Sequence, residues 1–208
     1  MIEFDVHITR DGALVVMHDF TVNRTTDGRG RIRKMTLAQF KRLRCANGEA
    51  PPTLDEAMRT IGRQAEVNVE IKAVKAAEKV AKYFKGKNLS RVILSAFSQK
   101  ALKIIRTRLP GARLGVLVDR LNRYLRPFKT ARALNAFSIN PSAALASPRF
   151  VVNAHRQGLK VLVYGFRNDA DLARCFDLRV DGLFVDDPEK AMAVFRAWKK
   201  RARDNTSR

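Results

Sequence analysis

Short apolar runs rich in β-branched residues alternate with longer helical patterns along this chain of 208 residues. Strict alternation of this kind is typical of βαβ units, in which each strand lies parallel to the next and a helix crosses between them. The strand candidates are IEFDVHI (2–8), EVNVEIK (66–72), RVILS (91–95), RLGVLV (113–118), AFSI (136–139), KVLVYG (160–165) and GLFV (182–185).

Seven such units favour a barrel over a doubly wound sheet, and no G-x-G-x-x-G follows an early strand as in dinucleotide-binding folds. A barrel of eight units takes about 250 residues, or roughly 30 per unit, so this chain has room for seven. We therefore predict an α/β fold, a TIM (β/α)8-type barrel with seven of its eight βα units. A turn at Asp11-Gly12 followed by an apolar run at 13–17 predicts a small hairpin inserted after the first strand.

The chain is strongly basic, with 41 Lys and Arg residues against 20 Asp and Glu and a net charge of +21. The excess can belong to solvated helix faces and a solvated tail, or to a surface that attracts anionic membrane or a polyanion. No nucleic-acid motif occurs, so no specific nucleic-acid partner is expected. Two widely spaced cysteines, Cys45 and Cys175, and the absence of any apolar run of roughly 20 residues lead us to expect a cytoplasmic location.

Carboxylates occupy alternate positions of two predicted strands. Glu3 and Asp5 lie two apart in the first strand, and Glu70 and Lys72 lie two apart in the second, so each pair points to one side. Such charged pairs at the ends of buried parallel strands are typical of the mouth of a barrel, where catalytic residues collect. Three carboxylates would form a hard oxygen site for Mg²⁺ or Ca²⁺, and the lysine would hold a phosphate beside it.

His18 lies at the end of the predicted hairpin, where it could supply a proton to a leaving oxygen. We expect His7 to point away from Glu3 and Asp5 and to be structural. Two plainer interpretations stay open at this point: the alternating acids can be the solvated face of a strand, and His18-Asp19 can be an ordinary turn in which Asp19 caps the next segment.

The order and spacing of these motifs resemble those of the glycerophosphodiester phosphodiesterase family, a group of phospholipase C-like TIM barrels. The stretch EFDVHITRDGALVVMHDFTVNRTTDGRG is similar to the family's E-x-D-V, T-x-D-G, V-V-x-H-D and R-T-T-x-G-x-G run. PPTLDEAM, NVEIK, ILSAF and VDGLFVDDPEKA follow in the family's order, so the resemblance runs from Ile2 to about Ala193.

The resemblance implies hydrolysis of glycerophosphodiesters, which are small-molecule substrates, to sn-glycerol 3-phosphate and an alcohol with the help of a divalent cation, Mg²⁺ or Ca²⁺. It implies these roles by motif: metal ligands Glu3, Asp5 and Glu70, phosphate-binding Lys72, catalytic His18 and, more weakly, pocket-lining Tyr164.

Two family motifs do not occur in the 208 residues: H-R-G of the first strand and the E-N-T that follows it. They supply the first catalytic histidine, an arginine for the phosphate and one further acid of the metal site. We therefore expect a barrel domain, residues 1–196, that lacks the N-terminal strand and first helix, and a basic tail, residues 197–208. Hydrolysis by this chain is expected to be impaired.

Two alternatives remain at the level of the sequence. One is a lysophospholipase D-like hydrolase of the same fold, since the loops at the mouth decide which substrate fits. The other is a catalytically inactive basic remnant that binds anionic membrane or a polyanion. The oligomeric state is left open.

Overall fold

The computed structural model describes residues 1–206 and confirms the alternation of strands and helices. The strands are β1 (Ile2–Ile8), β2 (Leu14–Val16), β3 (Val67–Ile71), β4 (Val92–Ala96), β5 (Arg113–Val118), β6 (Ser138–Pro141), β7 (Lys160–Val163) and β8 (Gly182–Leu183). The helices are α1 (Leu37–Lys41), α2 (Leu54–Ile61), α3 (Val74–Phe84), α4 (Gln99–Arg108), α5 (Pro127–Ala133), α6 (Pro148–Arg156), α7 (Asp169–Asp177) and α8 (Pro188–Thr206). Two short 3₁₀ turns cover Ile32–Lys34 and Arg123–Leu125.

The chain forms two compact units, Met1–Leu114 and Gly115–Arg208. In the first unit the strand order is β2-β1-β3-β4, and β1, β3 and β4 are parallel. Strand β2 runs antiparallel to β1, which confirms the predicted hairpin. Its turn needs a glycine because Gly12 has a φ of +85°, a left-handed conformation that other residues rarely adopt.

Helices α3 and α4 pack together and cover one face of this sheet. Every residue of β3 and of β4 is buried, as expected for parallel strands that are covered on both faces. The helix side chains that reach the core recur at helical spacing: Ala76, Ala77, Val80, Ala81 and Phe84 on α3, and Ala101, Leu102 and Ile105 on α4.

A second, smaller core fixes the segment that follows β2. Its buried side chains come from β2, the adjoining loop and α1: Val15, Met17, Val22, Ile32, Phe40 and Leu43. Helix α1 begins with a capping box of Thr36 and Gln39, and Asp11 of the hairpin turn accepts the backbone N–H of Leu37. The loop that carries His18 is thus anchored at both ends by apolar contacts.

In the second unit, which contains β5 from Gly115 onward, the strand order is β5-β6-β7-β8, and all of the pairings in it are parallel. β8 lies at the end of this order, and beside it α7 and α8 leave a groove with a volume of about 340 Å³. The groove is lined by apolar side chains: Phe176, Leu183, Val185, Pro188, Ala191, Met192 and Phe195.

The described residues therefore contain three parallel strands in the first unit, four in the second and one hairpin strand, as the sequence predicts. The division into a barrel domain, 1–196, and a basic tail, 197–208, stays a prediction; α8 runs across that boundary, and residues 207 and 208 lie outside the described residues. None of the helices within 1–206 is long and apolar enough to cross a membrane.

The capping box at the start of α2 should contribute measurably to the free energy of unfolding. Thr53 accepts a hydrogen bond from the N–H of Glu56, and Glu56 Oε2 accepts one from the N–H of Thr53 at 2.8 Å. We expect Thr53→Ala to lower the free energy of unfolding by about 1 kcal/mol in urea titrations. Thr60→Ala, in the exposed body of the same helix, is the control and should lose nothing. Equal losses in the two variants would contradict the role of the cap.

The same carboxylate predicts a dependence of stability on pH. The ammonium of Lys41, 2.9 Å from Glu56 Oε2, and the N–H of Thr53 lower the pKa of Glu56 from 4.5 to about 2. A depressed pKa stabilises the fold above 4.5, and that contribution is lost as the pH falls toward 2. The stability difference between wild type and Glu56→Gln should therefore shrink over this window. It should be small, because the Glu56 side chain is 42% exposed and solvent screens the pair. A difference that stays constant across the window would contradict this assignment.

Candidate active site

The register of two parallel strands brings the predicted acids together. Glu3 on β1 lies opposite Asn68 on β3, and Asp5 lies opposite Glu70. Ligand oxygens of Glu3, Asp5 and Glu70 all lie within 4.8 Å of one another, with Asp5 and Glu70 buried and Glu3 exposed. These carboxylates therefore face a common site rather than a solvated strand face.

Lys72 lies on the same side as Glu70, as their alternation predicts, and bridges the two buried acids; its role in binding phosphate stays a prediction. Its Nζ lies 2.8 Å from Asp5 Oδ1 and 2.7 Å from Glu70 Oε1. Burial raises the pKa of Glu70 to about 7, although the nearby ammonium opposes the shift. Burial alone would lower the pKa of Lys72, but the charges of Glu70 and Asp5 outweigh it and the pKa is raised.

The donor set fits a divalent cation. Three carboxylates that converge from two strands are the oxygen ligands that Mg²⁺ and Ca²⁺ prefer. Asn68 lies on the same face of β3 as Glu70, and its Nδ2 donates to Ser95 Oγ at 3.0 Å. Its buried Oδ1 has no hydrogen-bond partner among residues 1–206, which leaves an acceptor beside the acids for a water molecule of a hydrated ion. Sequence reasoning missed Asn68, although its spacing of two from Glu70 was a usable signal.

His18 lies on the loop after β2, where hydrogen bonds that involve Asp19 and Arg24 hold its ring. Its Nδ1 donates to Asp19 Oδ1 at 2.7 Å, and Arg24 makes two hydrogen bonds to the same carboxylate, at 2.7 and 3.0 Å. Hydrogen bonds from Arg24 and then from His18 hold the pKa of Asp19 well below its usual range, so Asp19 stays ionised. With Nδ1 engaged, Nε2 is the ring nitrogen left for proton transfer, on a side chain that is 67% exposed.

The loop is tied directly to the acidic strand. The backbone N–H of Met17 donates to the carbonyl of Asp5 at 3.0 Å, which places His18 one residue beyond a contact with a candidate metal ligand. Asp19 does not act as a plain turn cap; its carboxylate orients His18.

The expectation that His7 points away from Glu3 and Asp5 was wrong. Residues 3, 5 and 7 share the parity that puts side chains on one side of a strand, and the charges of Lys72 and Asp5 act on the His7 ring. His7 is buried, its Nε2 lies 3.3 Å from the carbonyl of His18, and its ring contacts the edge of Phe20. Burial lowers its pKa, so the ring is neutral at pH 7 and supports the backbone of His18.

Tyr164 belongs to the second unit. Its hydroxyl donates to the carbonyl of Val118 at 3.2 Å, and its backbone forms a parallel bridge with Ser142. Its role in lining a substrate pocket stays a prediction. Cys45 and Cys175 are both free thiols.

Comparison with known proteins gives a consistent result. The glycerophosphoryl diester phosphodiesterase family model matches residues 1–190. A glycerophosphodiester phosphodiesterase of Caldanaerobacter subterraneus is 33% identical to this chain, over 94% of the chain and 85% of the relative. The corresponding enzyme of Bacillus altitudinis is 26% identical, over 93% and 85%.

Solved structures agree in fold. A phosphodiesterase from Oleispira antarctica, in complex with the product sn-glycerol-3-phosphate, superposes with a TM-score of 0.83 at 23% identity, over 93% of this chain and 84% of that one. A putative glycerophosphoryl diester phosphodiesterase from Agrobacterium tumefaciens gives a TM-score of 0.80 at 25% identity, over 95% and 86%. These likenesses confirm the predicted α/β fold of the TIM-barrel type. With a family model that spans residues 1–190 and a curated relative at 33% identity, the chain belongs to the glycerophosphoryl diester phosphodiesterase family.

Proposed function

We propose that this chain binds glycerophosphodiesters at the acidic site of its first unit and hydrolyses them to sn-glycerol 3-phosphate and an alcohol. The observation that carries the proposal is the convergence of Glu3, Asp5 and Glu70 within 4.8 Å, with Lys72 between two of them. The names of the relatives and the product bound to the Oleispira enzyme support the substrate class.

Glu3, Asp5 and Glu70 would hold the divalent cation, Mg²⁺ or Ca²⁺. Such an ion supplies positive charge that stabilises the phosphoryl oxygens during displacement at phosphorus. Lys72 now balances the two buried carboxylates, at 2.8 and 2.7 Å. In the loaded site its ammonium would be available to a phosphate oxygen, because the carboxylates would be neutralised by the ion.

His18 would act as the general acid. In hydrolysis a bond forms between water oxygen and phosphorus, and the bond from phosphorus to the alcohol oxygen breaks. The attacking water would give up a proton to solvent, and the leaving alkoxide would take one from Nε2 of the protonated ring of His18, while Asp19, held by Arg24, keeps the ring oriented through Nδ1. His7 supports the loop through the contact of its Nε2 with the carbonyl of His18, at 3.3 Å.

We expect slow turnover from a polypeptide of these 208 residues alone. They do not include the H-R-G motif, which carries the family's other catalytic histidine. Loss of one member of a cooperating catalytic set commonly lowers the rate by several powers of ten. The cytoplasmic location expected from the sequence also stays a prediction.

Metal binding tests the acidic site. We expect Ca²⁺ or Mn²⁺ to raise the melting temperature of the wild type and to give a saturable heat in calorimetry, because an ion that binds only the folded state stabilises it. The double variant Glu3→Gln/Glu70→Gln should lose both effects. Glu66→Gln is the matched control, since Glu66 pairs with Arg113 at 2.9 Å and is no part of the acidic cluster. Unchanged ion binding by the double variant would contradict the site.

Two substrates whose leaving groups differ in their need for a proton test His18 as the general acid. We expect His18→Ala to lower the residual hydrolysis of glycerophosphocholine by about 10²–10⁴-fold, the usual contribution of a general acid. Hydrolysis of bis(p-nitrophenyl) phosphate should change little, because nitrophenolate leaves without a proton. His155→Ala, a histidine of the second unit paired with Asp181, should affect neither substrate. An equal loss on both substrates would rule out the acid role, and fast turnover by the wild type would contradict the expected impairment.

A further inference from the structure

The segment between β5 and α5 exposes three large apolar side chains within five residues. Leu121 is 89% exposed, Tyr124 is 74% exposed and Leu125 is 58% exposed. We call residues 120–126 the Leu-Tyr loop. Side chains this exposed do not line a pocket, and apolar side chains clustered on the surface commonly mark an interaction site.

A polar clamp holds the loop in place. Asp119 Oδ1 accepts the backbone N–H groups of Leu121 and Asn122, each at 2.8 Å, and Asn122 Oδ1 accepts the N–H of Asp119 at 2.8 Å. The amide of Asn122 donates to the carbonyl of Leu117, at the end of β5, at 2.8 Å. The exposure of the apolar side chains is therefore a feature of an ordered turn.

The helix that follows fixes the other end of the loop. Arg126 adopts the left-handed conformation, with a φ of 51°, and Pro127 begins α5. The carbonyl of Arg126 accepts the N–H of Thr130 at 3.1 Å. A non-glycine residue in this conformation is uncommon and is kept only where the surroundings fix the turn.

Basic side chains alternate with the apolar ones. Arg120, Arg123 and Arg126 are all exposed, and the guanidinium of Arg123 lies 4.7 Å from the centre of the Tyr124 ring. Apolar and aromatic side chains set among arginines are the composition of segments that lie at a bilayer interface: the apolar groups enter the acyl boundary and the arginines reach the phosphates. The net charge of +21 adds attraction to any anionic surface.

We propose that the Leu-Tyr loop docks this protein on the surface of an anionic phospholipid bilayer. A single-stranded nucleic acid would need free aromatic faces for stacking, whereas the aromatic ring of this loop is Tyr124 and Arg123 lies over it. Docking is independent of hydrolysis and requires neither His18 nor the acidic site.

Co-sedimentation with vesicles tests the proposal. The wild type should bind vesicles of phosphatidylcholine mixed with phosphatidylglycerol and should not bind phosphatidylcholine alone. Leu121→Ser/Leu125→Ser should lower the partition coefficient by about tenfold or more, because binding scales with the apolar area inserted. The matched control is Val152→Ser/Met192→Ser, which removes two large apolar side chains that are 47% and 48% exposed on α6 and α8. The control should bind like the wild type.

A second pair of variants separates the charge of the loop from that of the whole chain. Arg120→Gln/Arg126→Gln should weaken binding more than Lys199→Gln/Lys200→Gln, which removes the same charge from α8. Leu121→Ser/Leu125→Ser should also lose the part of the binding that survives at high salt, since salt screens only the electrostatic part.

Fluorescence gives a measurement that does not depend on lost binding. In Tyr124→Trp the emission should shift to the blue on anionic vesicles, relative to the wild type, whose one tryptophan is Trp198. The proposal would be overturned by an unshifted emission or by equal binding to neutral and anionic vesicles. Full binding by Leu121→Ser/Leu125→Ser would overturn it too. Binding to heparin without binding to vesicles would overturn it as well.

Discussion

The site depends on the register between β1 and β3, which sets Asp5 against Glu70 and Glu3 against Asn68. Carboxylates this close repel one another, and burial adds a desolvation penalty to each charged form. The ammonium of Lys72 lies between Asp5 and Glu70 and offsets both the repulsion and the cost of burial. The pKa of Glu70 is still raised to about 7, because the ammonium does not fully compensate for burial. A shift of one residue in this register would turn the acids to the opposite face of the sheet.

The rest of the first unit holds this arrangement in place. Helices α3 and α4 bury one face of the parallel strands, so the polar side chains have only the other face available. The small core around Phe40 and Val22 fixes the loop that carries His18, and the bond from Met17 to the carbonyl of Asp5 ties that loop to β1. His18 is thus positioned by packing as well as by its hydrogen bond to Asp19, which Arg24 holds in turn.

Much of this was predictable because it follows from short-range periodicity. The alternation of strands and helices identified the parallel strands, and a spacing of two identified the shared face of Glu3 and Asp5 and that of Glu70 and Lys72. The same rule, applied consistently, would have placed His7 correctly. Helix α1 was not predicted, because a helix of five residues has little intrinsic stability and depends on contacts from Asp11 and on the burial of Phe40. The pairing of Arg24 with Asp19 and the unpartnered oxygen of Asn68 arise from contacts that one sequence does not display.

The central claim is that Glu3, Asp5 and Glu70 form one cation site. The most direct measurement is anomalous diffraction from crystals grown with Mn²⁺, which scatters anomalously and takes the same oxygen ligands as Mg²⁺. The account predicts a single strong peak bounded by oxygens of all three carboxylates, with the Lys72 ammonium displaced from at least one of its present partners. A peak elsewhere, or none while Lys72 still bridges Asp5 and Glu70, would contradict it.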